Sequence, residues 1–303
     1  MVYTVTLNPS LDYTMELDGL EKGILNRADS ARITAGGKGI NVSRILTRLD
    51  VDNLILGFAA GFTGDEIERS LNAEGCESEF IRLEKGISRI NVKVCSKEVN
   101  GVTEINAPGP EIPVKALEKL DVQLDRLKEG DYLVLAGAIP EGLPEFSYRM
   151  IINKMNSKGI RTVVDASGNS LLSTLEFAPF LIKPNRQELG ELFSTKNITP
   201  ESAEKYALEL RAKGAENVLV SLDREGALLA TENDEIIYQA APERTVVNPV
   251  GAGDSMLAGF LWGLIETGDY REALKCGVAA GSASAFSYGF ANGDDIKAIR
   301  RML

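Results

Sequence analysis

Histidine is absent from all 303 residues, which removes the side chain most often used to move protons near neutral pH. General acid or base chemistry would therefore fall to Asp, Glu, Lys, Cys or Tyr. Cysteine is scarce as well. Cys76, Cys95 and Cys276 form no Cys-x-x-Cys pair, so with no histidine the ordinary zinc signatures are missing. No apolar run approaches the ~20 residues that span a bilayer, and Met1 to Leu7 carries no basic leader region. These absences predict a cytoplasmic protein kept in a reducing compartment. Positive charge is in short supply, with 33 Lys and Arg against 44 Asp and Glu for a formal net charge of −11. Such a balance argues against nonspecific binding to nucleic acid or to an anionic membrane surface, and an anionic ligand would need a local cluster of cations. Two motifs are missing too: there is no Gly-x-x-x-x-Gly-Lys-Ser/Thr, and no Gly-x-Gly-x-x-Gly after the first strand. Their absence counts against a P-loop NTPase and against a nicotinamide dehydrogenase.

What is present centres on Asn248-Pro249-Val250-Gly251-Ala252-Gly253-Asp254-Ser255, followed by the apolar run Met256 to Ile265. Small residues can bring bare backbone amides up to an anion, and a following helix would point its positive dipole end at the same place. Asp254 reads equally well as a cap for that helix or as the base that the missing histidine leaves open. A second glycine turn, Ala35-Gly36-Gly37-Lys38-Gly39, also feeds a helix-patterned stretch. It fits either a phosphate-binding turn using Lys38 or a plain flexible connection.

Along the chain, Val2 to Leu7 reads as a buried strand, Asn53 to Phe58 as another, and Thr63-Gly64-Asp65-Glu66 as a capping box opening a helix to Ala73. Ser88 to Val94 and Gly101 to Asn106 alternate as two antiparallel strands. With Leu11 to Leu17 and Arg32 to Thr34 they would build a small sheet outside the main one, a lid over about 11–34 and 87–106. From Pro113 the alternation is regular: helix to Leu127, strand Tyr132 to Leu135, helix Glu145 to Ser157, strand Arg161 to Asp165, strand Phe180 to Lys183. A helix follows Thr199-Pro200, then a strand from Val218 to Leu222, a hairpin across Gly226 to Ala240, and a helical C-terminal third. This rhythm predicts a mostly parallel sheet with helices on both faces, in a single domain, 1–303, plus its lid. Ligands bind beyond the carboxyl ends of such strands. Gly137 to Pro140, Asp165, Lys183-Pro184-Asn185 and Ser221-Leu222-Asp223 all fall there. Asn185 and Glu188 would flank one helical turn, either as an ordinary cap or as holders of a hydrated magnesium ion. Arg89, Asn91 and Lys93 share one face of a lid strand.

Taken jointly, Asn8-Pro9-Ser10-Leu11-Asp12, Gly36 to Val42, Leu135-Ala136-Gly137-Ala138-Ile139-Pro140, Lys183-Pro184-Asn185 with Glu188, and Val250 to Ser255 resemble the PfkB carbohydrate kinases over nearly the whole chain. The resemblance implies a ribokinase-like three-layer α/β/α sandwich with a small β-sheet lid. It implies Asp254 as catalytic base and Gly251, Ala252 and Gly253 as the anion hole. Asp12, Gly37 and Asn41 would bind sugar hydroxyls, and Lys38, Arg89 and Arg27 the phosphate already on the substrate. Lys183, Asn185, Ser221, Asp223, Gly226 and Ser282, with Gly253, would hold ATP, and Glu188 would serve the Mg2+ region. The expected reaction is phosphorylation of fructose 1-phosphate at its C6 hydroxyl, with tagatose 6-phosphate as the alternative substrate and a homodimer joined through the lid. A nucleotide-dependent oxidoreductase and a noncatalytic phosphosugar sensor are the competing classes. One departure stands out: Ala138 occupies a position where members of the family often carry serine, which leaves the backbone rather than a side-chain hydroxyl to meet the substrate there.

Overall fold

The computed structural model describes residues 1–96, 101–144 and 146–303. In chain order the first half holds β1 (Val2–Thr6), β2 (Ser10–Leu17), β3 (Ser30–Gly36), α1 (Lys38–Arg48), β4 (Asn53–Ala60), α2 (Gly61–Ala73), β5 (Ser78–Leu83), β6 (Arg89–Ser96) and β7 (Gly101–Ile105). Next come α3 (Val114–Leu124), β8 (Tyr132–Ala136), α4 (Ser147–Asn156), β9 (Arg161–Asp165), α5 (Gly168–Leu172), β10 (Leu181–Ile182), α6 (Arg186–Leu192) and α7 (Pro200–Ala212). The chain closes with β11 (Asn217–Ser221), β12 (Ala227–Ala230), β13 (Ile236–Gln239), α8 (Ala252–Thr267), α9 (Tyr270–Ala285) and α10 (Gly293–Met302). The expected helix start at Glu145 and lid residues 97–100 lie outside the described residues.

The main sheet runs β13-β12-β11-β10-β9-β8-β1-β4-β5. It is parallel from β5 through β11, and the hairpin β12–β13 adds an antiparallel edge. One face packs against α3 to α7 through residues such as Leu120, Tyr148, Ile152, Leu189 and Ala207. The other packs against α1 and α8 to α10 through Ile45, Leu257, Phe260, Leu274 and Ile296. α8 is apolar all round because it is buried all round, from Asp254 to Leu264, between sheet, α1 and α9. α7 carries the expected cap, with Thr199 Oγ1 accepting from Ser202 N and Pro200 at the first helical position.

The lid is a separate sheet in the order β3-β2-β6-β7. Its central pair β2–β6 is parallel, setting Asp12 opposite Asn91, and the outer pairs are antiparallel. Leu11 and Ala35 from the lid share an apolar cluster with Ile40, Ile55, Ile67 and Leu71, which seats this sheet against α1, α2 and β4. The capping box expected at Thr63 does not form. β4 runs straight into α2, whose N-cap is Ala60, and the Thr63 hydroxyl lies inside the first turn, donating to Ser88 O at 2.8 Å. Glu66 pairs instead with Arg69. Among the described residues no helix is long and apolar enough to cross a membrane.

Candidate active site

Gly251 is the N-cap of α8 at φ 80°, in the left-handed region that favours glycine. A Cβ there would also fall 2.4 Å from the Phe290 ring. Asp254 sits in the first turn, but its side chain does not cap the helix. It accepts instead from Asn41 Nδ2 of α1 at 2.8 Å. The residue is 7% exposed. Burial, then the charge of Asp165, push its pKa up to about 6, against the pull of Lys38, the Asn41 amide and Lys183. A base titrating near neutrality is what a proton-accepting role at physiological pH asks for. Of the three amides expected in the anion hole, that of Ala252 already donates to Pro249 O at 3.2 Å.

Asp165 ends β9 with no exposed surface and binds two lysines. Lys38 Nζ lies 2.8 Å from Oδ1, and Lys183 Nζ 3.1 Å from Oδ2. Burial works to raise the pKa of Asp165, but Lys183 and Lys38 outweigh it and hold the carboxyl below its usual range. Burial likewise works against the charge on Lys38, yet Asp165, Glu188 and Asp254 hold its ammonium above its ordinary value. Lys38 therefore faces the carboxyl ends of the sheet strands, where Glu188 Oε1 stands 3.5 Å away.

These lysines open onto a cavity of about 1410 Å³ beside the N-terminus of α8. Every residue expected to hold nucleotide lines it: Lys183, Asn185, Ser221, Asp223, Gly226 and Ser282, together with Gly253. Asn185 and Glu188 form a reciprocal capping box on α6, so Glu188 Oε2 accepts from the Asn185 amide. Among the described residues no group of three or more His, Cys, Asp or Glu side chains assembles a metal cage. Both Glu188 oxygens are thus engaged, Oε2 by the Asn185 amide and Oε1 by the Lys38 ammonium, so a magnesium ion here would be held largely by water and substrate phosphates.

The lid carries a second polar cluster. Asp12 on β2 accepts from Ser10 Oγ at 2.6 Å and Asn91 Nδ2 at 3.1 Å, and Lys93 Nζ lies 2.8 Å from its second oxygen. The carboxylate fits only because Gly36 faces it: a Cβ at that position would meet Asp12 Oδ2 at 2.6 Å. Arg89 is half-buried, its Nε donating to Asn8 O at 3.1 Å. Neither Asp12 nor Arg89 lines the large cavity, whereas Lys38 does. Arg27 is exposed in the connection between β2 and β3, and the structure joins it to none of the other site residues. Gly37 caps α1. Ala138 lies in a smaller cavity of about 390 Å³ with Ser167 and Ser170, beside Gly137, whose carbonyl accepts from Tyr148 Oη.

Three members of the site are faint in the sequence. Asp165 reads there equally as a turn residue, although its place as the last residue of a strand is the signal. Asn91 and Lys93 sit on the cleft-facing side of their strand by pattern, but nothing in the sequence ties them to Asp12.

Residues 5–297 match the family described as pfkB family carbohydrate kinase. The chain is 45% identical over 287 residues to 1-phosphofructokinase of Bacillus subtilis, covering 95% of this chain and 93% of that protein. It is 37% identical over 292 residues to D-tagatose-1-phosphate kinase of Bacillus licheniformis, covering 95% and 94%. The crystal structure of phosphofructokinase-2 from Escherichia coli in complex with substrates and products superposes with a TM-score of 0.93 at 29% identity, over 100% of this chain and 99% of that one. The ribokinase-like architecture expected from the motifs is thus the one observed.

Proposed function

Because the chain belongs to the pfkB family of carbohydrate kinases, we infer that it transfers the γ-phosphoryl group of ATP to the C6 hydroxyl of fructose 1-phosphate, giving fructose 1,6-bisphosphate and ADP. The observation that carries the chemistry is the Asp254 carboxyl at the α8 N-terminus, buried, raised to about 6 and bound to Asn41 on the wall of the large cavity. The substrate rests on the 45% identity to a 1-phosphofructokinase across most of both chains.

In this reading Asp254 orients the hydroxyl and accepts its proton. Phosphoryl transfer passes through a loose transition state, so positioning and charge stabilisation dominate. Lys38 and Lys183 bring two ammonium groups to the same end of the sheet as the α8 amides, where charge develops on the moving group. Bound Mg2+ would add neutralisation of phosphate charge, with Glu188 its nearest expected protein partner. Asp12, held by Ser10, Asn91 and Lys93, accepts from a sugar hydroxyl, and Gly37 lets the backbone come close. Arg89 and Arg27 serve the phosphate already present. The three cysteines are free thiols, which supports a reducing, cytoplasmic setting. The lid edges expose Ile33 on β3 and Ile105 on β7, at 53% and 62%, which supports a homodimer that covers this sheet. A monomeric mass by light scattering at working concentration would refute that assembly.

The decisive measurement is ATP consumption by the purified protein with Mg2+, comparing kcat/KM for fructose 1-phosphate, fructose 6-phosphate, tagatose 1-phosphate and tagatose 6-phosphate. A preference of about tenfold or more for fructose 1-phosphate, roughly 1.4 kcal/mol in transition-state binding, is expected. Preference for another ketose phosphate would replace the substrate and leave the base in place. No turnover with any of them would overturn the kinase reading.

A further inference from the structure

Arg44 lies in the middle of α1 with only 3% of its surface exposed, and a buried guanidinium persists only where its donors are met. Nε and Nη2 form a two-pronged contact with Glu74 at 2.6 and 3.0 Å, and Nη2 also donates to Ala35 O at 3.1 Å. The remaining arm, Nη1, donates to Asn41 Oδ1 at 3.1 Å. That contact settles which way the Asn41 amide faces. With Oδ1 turned to Arg44, Nδ2 is the end presented to Asp254, at 2.8 Å. A flipped amide would set its oxygen against the carboxylate. The guanidinium also stacks 5.1 Å from the centre of the Phe290 ring, the ring that stands against Gly251 at the head of α8.

We propose that Arg44 is a positioning residue for phosphoryl transfer: it locks the amide of Asn41 so that its N–H end holds Asp254. The proposal rests on Asp254 being the base. The charged groups facing Asp254 are Lys38 at the start of α1, Lys183 after β10 and Asp165 at the end of β9, and Arg44 touches none of them directly. Its influence therefore runs through one neutral amide. Because the Asn41 N–H lowers the proton affinity of Asp254, losing it moves the acid limb of the kcat profile to higher pH.

The test compares Arg44→Lys, Glu74→Gln, Asn41→Ala, the Arg44→Lys/Asn41→Ala double variant and Asp254→Asn in the full chain, each with a melting temperature. Arg44→Lys keeps the charge and loses the fork, so kcat is expected to fall about tenfold with the KM for ATP nearly unchanged, and the acid limb to move up. Glu74→Gln loosens the guanidinium while leaving it in place, and a smaller shift in the same direction is expected. The double variant is expected to match Asn41→Ala within about twofold, since Arg44 has nothing left to act through. An unmoved limb in both Arg44→Lys and Glu74→Gln, whatever the change in melting temperature, would overturn the proposal, and so would losses that multiply in the double variant. Near-normal turnover of Asp254→Asn would remove the base itself, and the proposal with it. An inactive Asp254→Asn beside an unmoved Arg44→Lys profile would overturn the proposal alone.

Discussion

The head of α8 and the tail of β9 each bury an aspartate within reach of the same lysines, and their surroundings push the two in opposite directions. Asp165 touches both ammonium groups directly, at 2.8 and 3.1 Å, and is held ionised below its usual range. Asp254 accepts from the neutral Asn41 amide, has the charge of Asp165 nearby, and rises to about 6. The same residue type is thus a fixed counter-charge at one place and, at the other, a carboxyl able to take up a proton near pH 6. What separates them is which carboxylate the lysines reach first.

The largest effect should come from Asp254→Asn, which keeps the shape and removes the base. Turnover is expected to fall roughly 100- to 10,000-fold in a steady-state assay. Stability should move the other way. Asp254 has a raised pKa in the folded state, so below about 3.8 it is protonated in both states and contributes nothing. Between about 3.8 and 6 only the unfolded chain ionises, and a cost to folding grows that is complete above about 6. Near pH 7.5 the Asn variant should therefore be more stable by about 2 to 3 kcal/mol in denaturant titrations. Equal or lower stability there would break the contrast with Asp165.

Asp165→Asn should do the reverse. Removing the counter-charge leaves Lys183, 3% exposed, without its carboxylate partner, and a loss of about 3 to 5 kcal/mol is expected. In whatever fraction stays folded, the acid limb of kcat should move to lower pH, because the charge of Asp165 is one of the causes that raise Asp254. A limb that stays put would mean the two sites are not coupled. Gly251→Ala should have the smallest effect on stability. A positive φ and a 2.4 Å approach to Phe290 predict a loss of about 1 to 3 kcal/mol, read as a lower melting temperature. Turnover should fall with it, since the head of α8 would have to shift.

Much of the frame that holds these two aspartates is legible in the residue order. The parallel rhythm, the lid strands and the clustering of polar motifs at strand ends follow from local patterning, because hydrophobic period and turn residues act over a few positions. Local patterning misleads where distant residues decide. Thr63 looks like a cap, but β4 enters α2 without a break and Ser88 takes the hydroxyl. Arg44, charged and in mid-helix, is buried because Glu74 and Phe290, distant in the chain, close over it. Lys38 is expected on the phosphate the substrate already carries, and the pairing of its ammonium with Asp165 and Glu188 on the wall of the large cavity could not be read from its neighbours in the chain.

By itself the order of residues determined the layered α/β plan, the glycine turn ahead of Asp254 and, through the absence of histidine, the kind of side chain left to move a proton. Only the tertiary structure decided how strongly each carboxyl holds that proton. Proton affinity is set by burial and by charges and hydrogen bonds within a few ångströms, and those come from Asn41 and Lys38 on α1, Asp165 at the end of β9 and Lys183 after β10, segments far from Asp254 in the chain that the fold alone brings to it.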